Sequence, residues 1–331
     1  MQIGIVYPEL ERLAAVDFAE QAEQKGFESV WVGELWGGNA FVRLAQIAER
    51  TSSIRLGTAI VNVFSRSPAV LAMGAGSLAK ASDGRFVLGL GASTPKVIED
   101  LHGFEYADPI QRTEETVELV RAFLSPGGEA VRYEGEVFDV KDFPSLDEPV
   151  PIVNAALGPT NRQVTGQLFD GWMPNNLPRT NLEASHETVE SAAQSAGRDP
   201  ADVEVLPWVH VAISEDGTRA RDAIREVVAY YVGSASAYEN LVKTAFPEEV
   251  ATVVDAWRSG DTETARQSVT DEMVDTLGFG GTREQVHEQL RAFGENPLVD
   301  VPIVSIPHHL DDDLIRETFD ALDPTLLAEN E

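Results

Sequence analysis

The chain has 331 residues, of which 43% are hydrophobic and 24% charged, a composition that excludes a disordered chain. It contains no cysteine, which excludes disulfides, thiolate zinc sites, cysteine nucleophiles and iron–sulfur clusters. The 55 acidic residues outnumber the 25 Lys and Arg, so the formal net charge is −30, and such a polyanion is a poor candidate for binding nucleic acid phosphates.

The N-terminal sequence and the hydropathy pattern indicate where in the cell the protein is expected. No apolar run approaches the roughly 18 residues of a membrane span, and the N-terminus MQIGIVYPELE has neither a basic nor an apolar targeting region. We therefore expect a cytoplasmic protein without membrane or nucleic-acid partners. Repulsion among the acidic side chains would destabilise the fold at low salt and is screened at high salt, which favours a protein from a salt-adapted cytoplasm. The alternative is an acidic enzyme of a mesophile.

Short β-rich runs alternate with amphipathic helical stretches along the chain. The predicted strands are residues 2–7, 29–33, 54–61, 86–90, 151–155, 171–174, 203–213 and 301–306. The predicted helices are residues 9–25, 41–50, 68–82, 108–124, a stretch from 160, 181–196, 281–294 and 311–322. Eight such units with near-continuous apolar strands favour a closed (β/α)8 TIM barrel over an open doubly wound sheet.

Two segments interrupt this alternation. Residues 126–149 contain the string YEGEVFDV, which predicts a β-hairpin, and residues 216–277 are acidic, helical and longer than one helix needs. We therefore predict a single barrel domain over residues 1–331, with insertions at about 126–149 and 216–277.

The carboxyl ends of the barrel strands are where an active site is expected. Glu34 directly follows the second strand. Its carboxyl group could act as a general acid or form a hydrogen bond to the polar edge of a cofactor, and the alternative is that it only caps the next helix. After the third strand, the apolar Ala59, Ile60 and Val61 offer a surface for a flat aromatic ligand. Arg66 precedes a helix N-terminus, where an anion is favoured, so it could help to bind an anionic group. The alternative is that Arg66 is only a surface charge.

Further turns of small residues lie at the same rim or open a helix. Several such turns together indicate an extended anionic cofactor, although none has the spacing of a dinucleotide fingerprint. Their residues are Gly91, Ala92 and Ser93; Ala156, Leu157 and Gly158; and Gly280, Gly281 and Thr282.

The six histidines do not predict a metal site, because they lack the spacing that metal ligands require. His210 lies in a strand-like run, where we expect it to form hydrogen bonds in the core or at the rim. His308 and His309 follow the last strand, and we expect them to form a polar turn at the rim.

Three strings of the sequence carry a resemblance to a known family. They are LGTAI-x5-RSP-x13-SDGRFVLGLGAS (56–93), AALGPTNRQVTGQLFDGWMPN (155–175) and GFGGTREQV (278–286). Together they span most of the predicted barrel. The chain resembles the luciferase-like (β/α)8 family, in particular its branch of coenzyme F420-dependent oxidoreductases, which includes the methylenetetrahydromethanopterin reductases.

The resemblance implies a cofactor and the residues that bind it. The cofactor would be coenzyme F420, a deazaflavin, rather than FMN, and a non-prolyl cis peptide at Ala59-Ile60 would form a bulge under its ring. The cofactor-binding residues implied are Ala59, Ile60, Val61, Gly91, Ala92, Ser93, Ala156, Leu157, Gly158, Asn175, Gly280, Gly281 and Thr282.

The resemblance also implies a reaction. A hydride would pass between C5 of the deazaflavin and an electrophilic carbon of the substrate. The substrate that the resemblance favours is a tetrahydropterin or folate, whose methylene group would be reduced to a methyl group. An FMN-dependent monooxygenase and a non-catalytic flavin-binding barrel are the alternatives.

The sequence departs from the family at two candidate acids. Many deazaflavin members end the second strand with Asp-His, where this chain has Glu34-Leu35. The luciferases use a histidine at that place in flavin-hydroperoxide chemistry, so its absence here makes an oxygen-using monooxygenase a less favoured interpretation. The pterin reductases carry a glutamate near the end of the first strand, where this chain has Val6. Glu34 and the nearby Glu9 are therefore the candidate proton donors.

The predicted helix at 68–82 is rich in Ala and Gly. Small residues let helices approach closely, so this helix packs either tightly on its own barrel or against a second subunit. We expect a homo-oligomer, a dimer or a tetramer.

The net charge predicts that salt stabilises the fold. Between about 0.1 M and about 1 M KCl the Debye length falls from about 10 Å to about 3 Å, which screens the repulsion among surface carboxylates. We expect the midpoint of urea unfolding to rise over this range. A midpoint that is flat or falls with salt would contradict salt adaptation.

Overall fold

The computed structural model describes residues 2–8, 14–307 and 310–325, so the candidate acid Glu9 and the pair His308-His309 lie outside the described residues. The strands described are β1 (Gly4–Val6), β2 (Ser29–Val32), β3 (Arg55–Thr58), β4 (Val61–Asn62), β5 (Phe86–Gly91), β6 (Ala130–Glu134), β7 (Asp139–Pro144), β8 (Ile152–Asn154), β9 (Gly171–Trp172), β10 (Glu204–Val205), β11 (Trp208–Ile213), β12 (Gly278–Gly281) and β13 (Ile303–Ser305). The α-helices described are α1 (Ala15–Lys25), α2 (Ala40–Ala48), α3 (Pro68–Ala81), α4 (Pro109–Leu124), α5 (Pro159–Leu168), α6 (Leu182–Ser195), α7 (Gly217–Ser234), α8 (Ser236–Val242), α9 (Pro247–Arg258), α10 (Thr262–Gln267), α11 (Asp271–Leu277), α12 (Arg283–Gly294) and α13 (Asp312–Ala321). Among these residues, no helix is both long and apolar enough to cross a bilayer.

Parallel pairing builds the predicted (β/α)8 barrel. The ladder runs β10-β9-β8-β5-β3-β2-β1-β13-β11. β10 and β11 lie at the two ends of this ladder and are consecutive in the chain, so together they form one interrupted strand that closes the barrel. The Leu206 amide donates to the Trp172 carbonyl on one side, and the Ile303 amide donates to the Pro207 carbonyl on the other.

The structure corrects three predicted strands or turns. The seventh strand is divided at Pro207, which has no amide hydrogen to donate to a ladder. The third strand is divided between Thr58 and Val61. The glycine-rich segment Gly278–Gly281, predicted as a turn, is the strand β12, which pairs with β11 outside the closed ladder.

The amino-terminal half of the barrel is filled by one large side chain. Trp31 is fully buried, and its indole nitrogen donates to the Ser29 hydroxyl at 2.8 Å. Gly57 leaves the space that the Trp31 ring occupies, because a Cβ at Gly57 would overlap the ring. Val87 and Val153 belong to the same interior cluster. These side chains therefore fill the barrel interior below the carboxyl ends of the strands.

One extra residue interrupts the ladder between the third strand and β5. Gly57 pairs with Val87 and Val61 pairs with Leu90, so four steps on one strand oppose three on the other, which is a β-bulge. The Thr58 hydroxyl compensates for the lost ladder bonds: it donates to the Gly89 carbonyl and accepts from the Gly89 amide, both at 2.8 Å.

The peptide between Ala59 and Ile60, inside this bulge, is cis, which confirms the expectation from the resemblance.

The two predicted insertions take different forms. Residues 126–149 contain the antiparallel pair β6–β7, and the buried Glu115 of α4 accepts hydrogen bonds from the amides of Glu136, Val137 and Phe138. Residues 216–277 contain α7 to α11, which pack around an apolar cluster of their own. That both segments belong to a single domain stays a prediction.

The bulge predicts a specific stability effect at Thr58. Thr58→Val keeps the side-chain shape but leaves the buried amide and carbonyl of Gly89 without their partner, which costs about 1–3 kcal/mol of unfolding free energy. Thr58→Ser keeps the hydroxyl and serves as the control. Urea unfolding should rank wild type and Thr58→Ser well above Thr58→Val, and equal losses in both variants would contradict the role of the hydroxyl.

Candidate active site

The carboxyl-terminal mouth of the barrel has a floor of small residues on four adjacent strands. Gly33, Gly91 and Ala155 continue the alternation that places Trp31, Gly89 and Val153 one level deeper, and Ala59 follows Gly57 in the same way. A Cβ at Gly91 would lie 3.2 Å from Ile60 and 3.5 Å from Ala155. We call Gly33, Ala59, Gly91 and Ala155 the shelf.

Several residues in and around the shelf reach solvent. Ala155 of the shelf and the neighbouring Ile60, Ala92, Ser93 and Leu157 are partly exposed, although most strand residues below them are fully buried. Partly exposed apolar and small side chains above a packed interior are the kind of lining that suits a flat ligand.

Four of the sequence-predicted residues here are buried, namely Ala59, Val61, Gly91 and Ala156, and two of them make contacts of the fold. Val61 pairs with Leu90 in the ladder, and the Ala156 carbonyl accepts a hydrogen bond from the Trp172 indole at 2.8 Å. They support the shelf from behind.

The opposite side of the mouth is polar. Asn175 and Asn176 follow β9, and His210 lies on β11; all three are at least nine-tenths buried. The Asn176 amide nitrogen donates to the Asn175 side-chain oxygen at 2.9 Å and lies 3.4 Å from His210 Nε2. The Asn175 amide nitrogen donates to the Tyr238 hydroxyl at 3.4 Å. We call Asn175, Asn176, His210 and Tyr238 the polar wall.

Aromatic rings from the helical insertion back the polar wall. The Tyr231 ring centroid lies 5.2 Å from that of His210 and 4.8 Å from that of Tyr238. Burial raises the pKa of Tyr238 to about 12 and also raises that of Tyr231. Both phenols therefore keep their protons at neutral pH, and the wall presents hydroxyl groups rather than phenolates.

Glu34 forms a two-point ion pair with Arg66 between the loops that follow two neighbouring strands. The two guanidinium nitrogens of Arg66 lie 2.5 and 2.9 Å from the two Glu34 oxygens, and the Ala40 amide donates to Glu34 Oε2 at 2.9 Å. The last contact is the helix cap that the sequence analysis left open as an alternative. The pairing with Arg66, 32 residues away, was not predicted.

The first turn of α5 is open to an anionic group. Its N-cap is Gly158, which has no side chain to accept from the first amides, and a Cβ at Gly158 would meet no atom within 4 Å. Arg162, in the same turn, has a buried Nε without a hydrogen-bond partner among the described residues, and burial lowers its pKa. Free amides at a helix N-terminus and a nearby guanidinium suit a phosphate or carboxylate.

The third glycine turn has a packing role. Gly280 and Gly281 are buried on β12, where a Cβ at Gly280 would come within 3.0 Å of the backbone of α7. Thr282 caps α12 in a capping box with Gln285. The structure does not bring these residues to the shelf, and their contact with a cofactor stays a prediction.

The hydrogen-bonding role predicted for His210 is confirmed, whereas sequence reasoning missed Asn176, Tyr231 and Tyr238. The dipeptide Asn175-Asn176 directly after a predicted strand was a signal for both amides, because polar residues at that end of a barrel strand face the site. No signal pointed to Tyr231 or Tyr238, which come from the insertion. Among the described residues, no group of three or more His, Asp or Glu side chains could hold a metal ion.

Comparisons with known proteins agree with this architecture. The model of the family described as luciferase-like monooxygenase matches residues 6–300. A 5,10-methylenetetrahydromethanopterin reductase of Archaeoglobus fulgidus is 29% identical over 299 residues, covering 88% of this chain and 89% of its own. A candidate coenzyme F420-dependent oxidoreductase of Mycobacterium tuberculosis is 30% identical over 292 residues, covering 81% and 84%.

A solved structure shows the same fold. The coenzyme F420-dependent tetrahydromethanopterin reductase of Methanopyrus kandleri superposes with a TM-score of 0.81 at 22% identity and covers 97% of each chain. With a family model that spans most of the barrel, the chain belongs to the luciferase-like family.

Proposed function

We propose that this protein is a coenzyme F420-dependent oxidoreductase that reduces the methylene group of a tetrahydropterin or folate to the methyl form. The observation that carries the proposal is that one barrel mouth holds both the small-residue shelf and the polar wall. The relatives named above, which include a pterin reductase and a candidate F420-dependent enzyme, support the choice of cofactor and substrate.

The chain offers a place for each part of such a cofactor. When bound, coenzyme F420 supplies a hydride from a flat ring. The shelf, with Ile60 beside it, would hold the ring, because no side chain larger than a methyl group rises from the shelf itself. Ala92, Ser93 and Leu157 would border it, and Gly158 with the first turn of α5 would hold the anionic tail.

The polar wall would orient the substrate. In the substrate, the methylene carbon gains a hydride, one of its two C–N bonds breaks, and the released nitrogen takes a proton. Asn175, Asn176 and the Tyr238 hydroxyl offer donors and acceptors to the polar edge of a pterin ring, and the half-buried Tyr231 ring packs behind them. Glu34 remains the proposed proton donor, and its contact with Arg66 makes a positioning role the alternative.

A subunit interface at α3 remains part of the proposal. Val70 and Met73 on α3 and Val42 on α2 are each about half exposed or more. Exposed apolar side chains on neighbouring helices favour contact with a second copy over packing within one barrel.

The cofactor assignment is tested by titration. Absorption spectroscopy at molar salt should show saturable binding of F420 and much weaker binding of FMN. Ala155→Leu should weaken F420 binding about 100-fold, or about 2.7 kcal/mol, because the larger side chain would occupy the shelf. Equal or tighter FMN binding would favour a flavin monooxygenase, and F420 binding without turnover would favour a non-catalytic barrel.

The matched control for that variant is Ala201→Leu, which makes the same change at an exposed position in the turn Pro200–Asp202. Its F420 affinity should equal that of wild type. An equal loss of affinity in both variants would contradict the shelf as the binding surface.

The role of Glu34 is tested by a pair of variants. If Glu34 donates the proton, Glu34→Gln should lower kcat about 10²–10⁴-fold and remove one limb of the pH–rate profile. Arg66→Gln breaks the same ion pair but leaves the carboxyl group, so it should retain far more activity. Equal losses in the two variants, or turnover of Glu34→Gln within about twofold of wild type, would make Glu34 a positioning residue.

A further inference from the structure

A second cavity lies beside the barrel mouth, between the loop after β2 and the helical insertion. Its volume is about 440 Å³, within the range of small-molecule sites, about 300–1,000 Å³. Its lining residues are Trp36, Glu226, Ala229, Tyr230, Trp257, Thr262, Glu263 and Arg266.

Three aromatic side chains form the walls of this cavity. Tyr230 and Trp257 meet edge to face, with ring centroids 5.9 Å apart and planes at 76°. Trp36 approaches from the loop after β2 and is 63% exposed. When a flat apolar group enters the cavity, it would cover the exposed Trp36 side chain and make ring contacts with Tyr230 and Trp257, and both effects favour binding.

The charges at the edge of the cavity select among flat ligands. Arg266 forms two hydrogen bonds to Glu263, at 2.8 and 3.2 Å, so its charge is compensated within the cavity. Glu226 adds a second carboxylate, which leaves two negative charges against one positive. An anionic ligand would meet like charge there, whereas a neutral or cationic one would not.

The cavity and the polar wall involve consecutive residues of α7. Tyr230 lines the cavity, and the next residue, Tyr231, packs against His210 of the polar wall; the two tyrosine ring centroids are 5.4 Å apart. Trp36, which also lines the cavity, follows Glu34 by two residues. The cavity therefore lies next to the site, with the Tyr231 ring between Tyr230 and the polar wall.

We propose that this cavity is a separate binding site for a flat aromatic amine that is neutral or cationic. The proposal rests on the aromatic walls and the charges of the cavity and does not depend on the proposed function.

The test uses the full-length protein without cofactor and two small probes of equal size. Quenching of tryptophan fluorescence should show saturable binding of 4-aminobenzamide and at least tenfold weaker binding of the anion 4-aminobenzoate, at the lowest salt at which the protein stays folded. Trp36→Ala and Tyr230→Ala should each weaken 4-aminobenzamide binding at least tenfold. Glu226→Gln should reduce the discrimination against the anion.

The matched control is Phe143→Ala, which removes a 61% exposed aromatic side chain from β7, away from the cavity. It should bind the neutral probe as wild type does. No saturable binding to wild type, a preference for the anion, or an equal loss in Phe143→Ala would overturn the proposal. Probe binding in a protein that fails to bind F420 would support the cavity and contradict the proposed function instead.

Discussion

The hydrogen bonds between Thr58 and Gly89 are the constraint on which the site depends. The third strand has one residue more than β5 between their two paired stretches, and a side-chain hydroxyl replaces the ladder bonds lost there. Gly89 must be glycine, since a Cβ would overlap the Thr58 carbonyl. The extra residue turns Ala59 and Ile60 into the mouth, where the other small residues of the shelf leave room above them.

Electrostatics explain how so acidic a chain could hold an anionic cofactor. The chain has only five lysines, and Arg66, the guanidinium nearest the start of α3, is paired with Glu34. The positive potential left for an anion comes from the uncapped N-terminus of α5 and from Arg162. At molar salt the short-range hydrogen bonds of these backbone amides outlast long-range attraction.

The helical insertion contributes side chains to the site region as well as to the fold. Its helix α7 places Tyr231 against His210 of the polar wall and Tyr230 in the wall of the second cavity. The shelf, in contrast, is built entirely from barrel strands and the residues that directly follow them.

The sequence by itself determined the elements and the region of the site. Apolar strands alternating with amphipathic helices predicted eight barrel units, and the small residues at 59–61, 91–93 and 155–158 marked one rim, because periodicity and turn chemistry are local properties. Partners distant in the chain were decided only by tertiary structure. Arg66 reaching Glu34, Tyr238 reaching Asn175, the strand pairing of Gly278–Gly281 and the extra residue opposite β5 all depend on register and on side chains far apart in sequence. No local pattern encodes such contacts, since closing the barrel is what brings them within hydrogen-bonding distance.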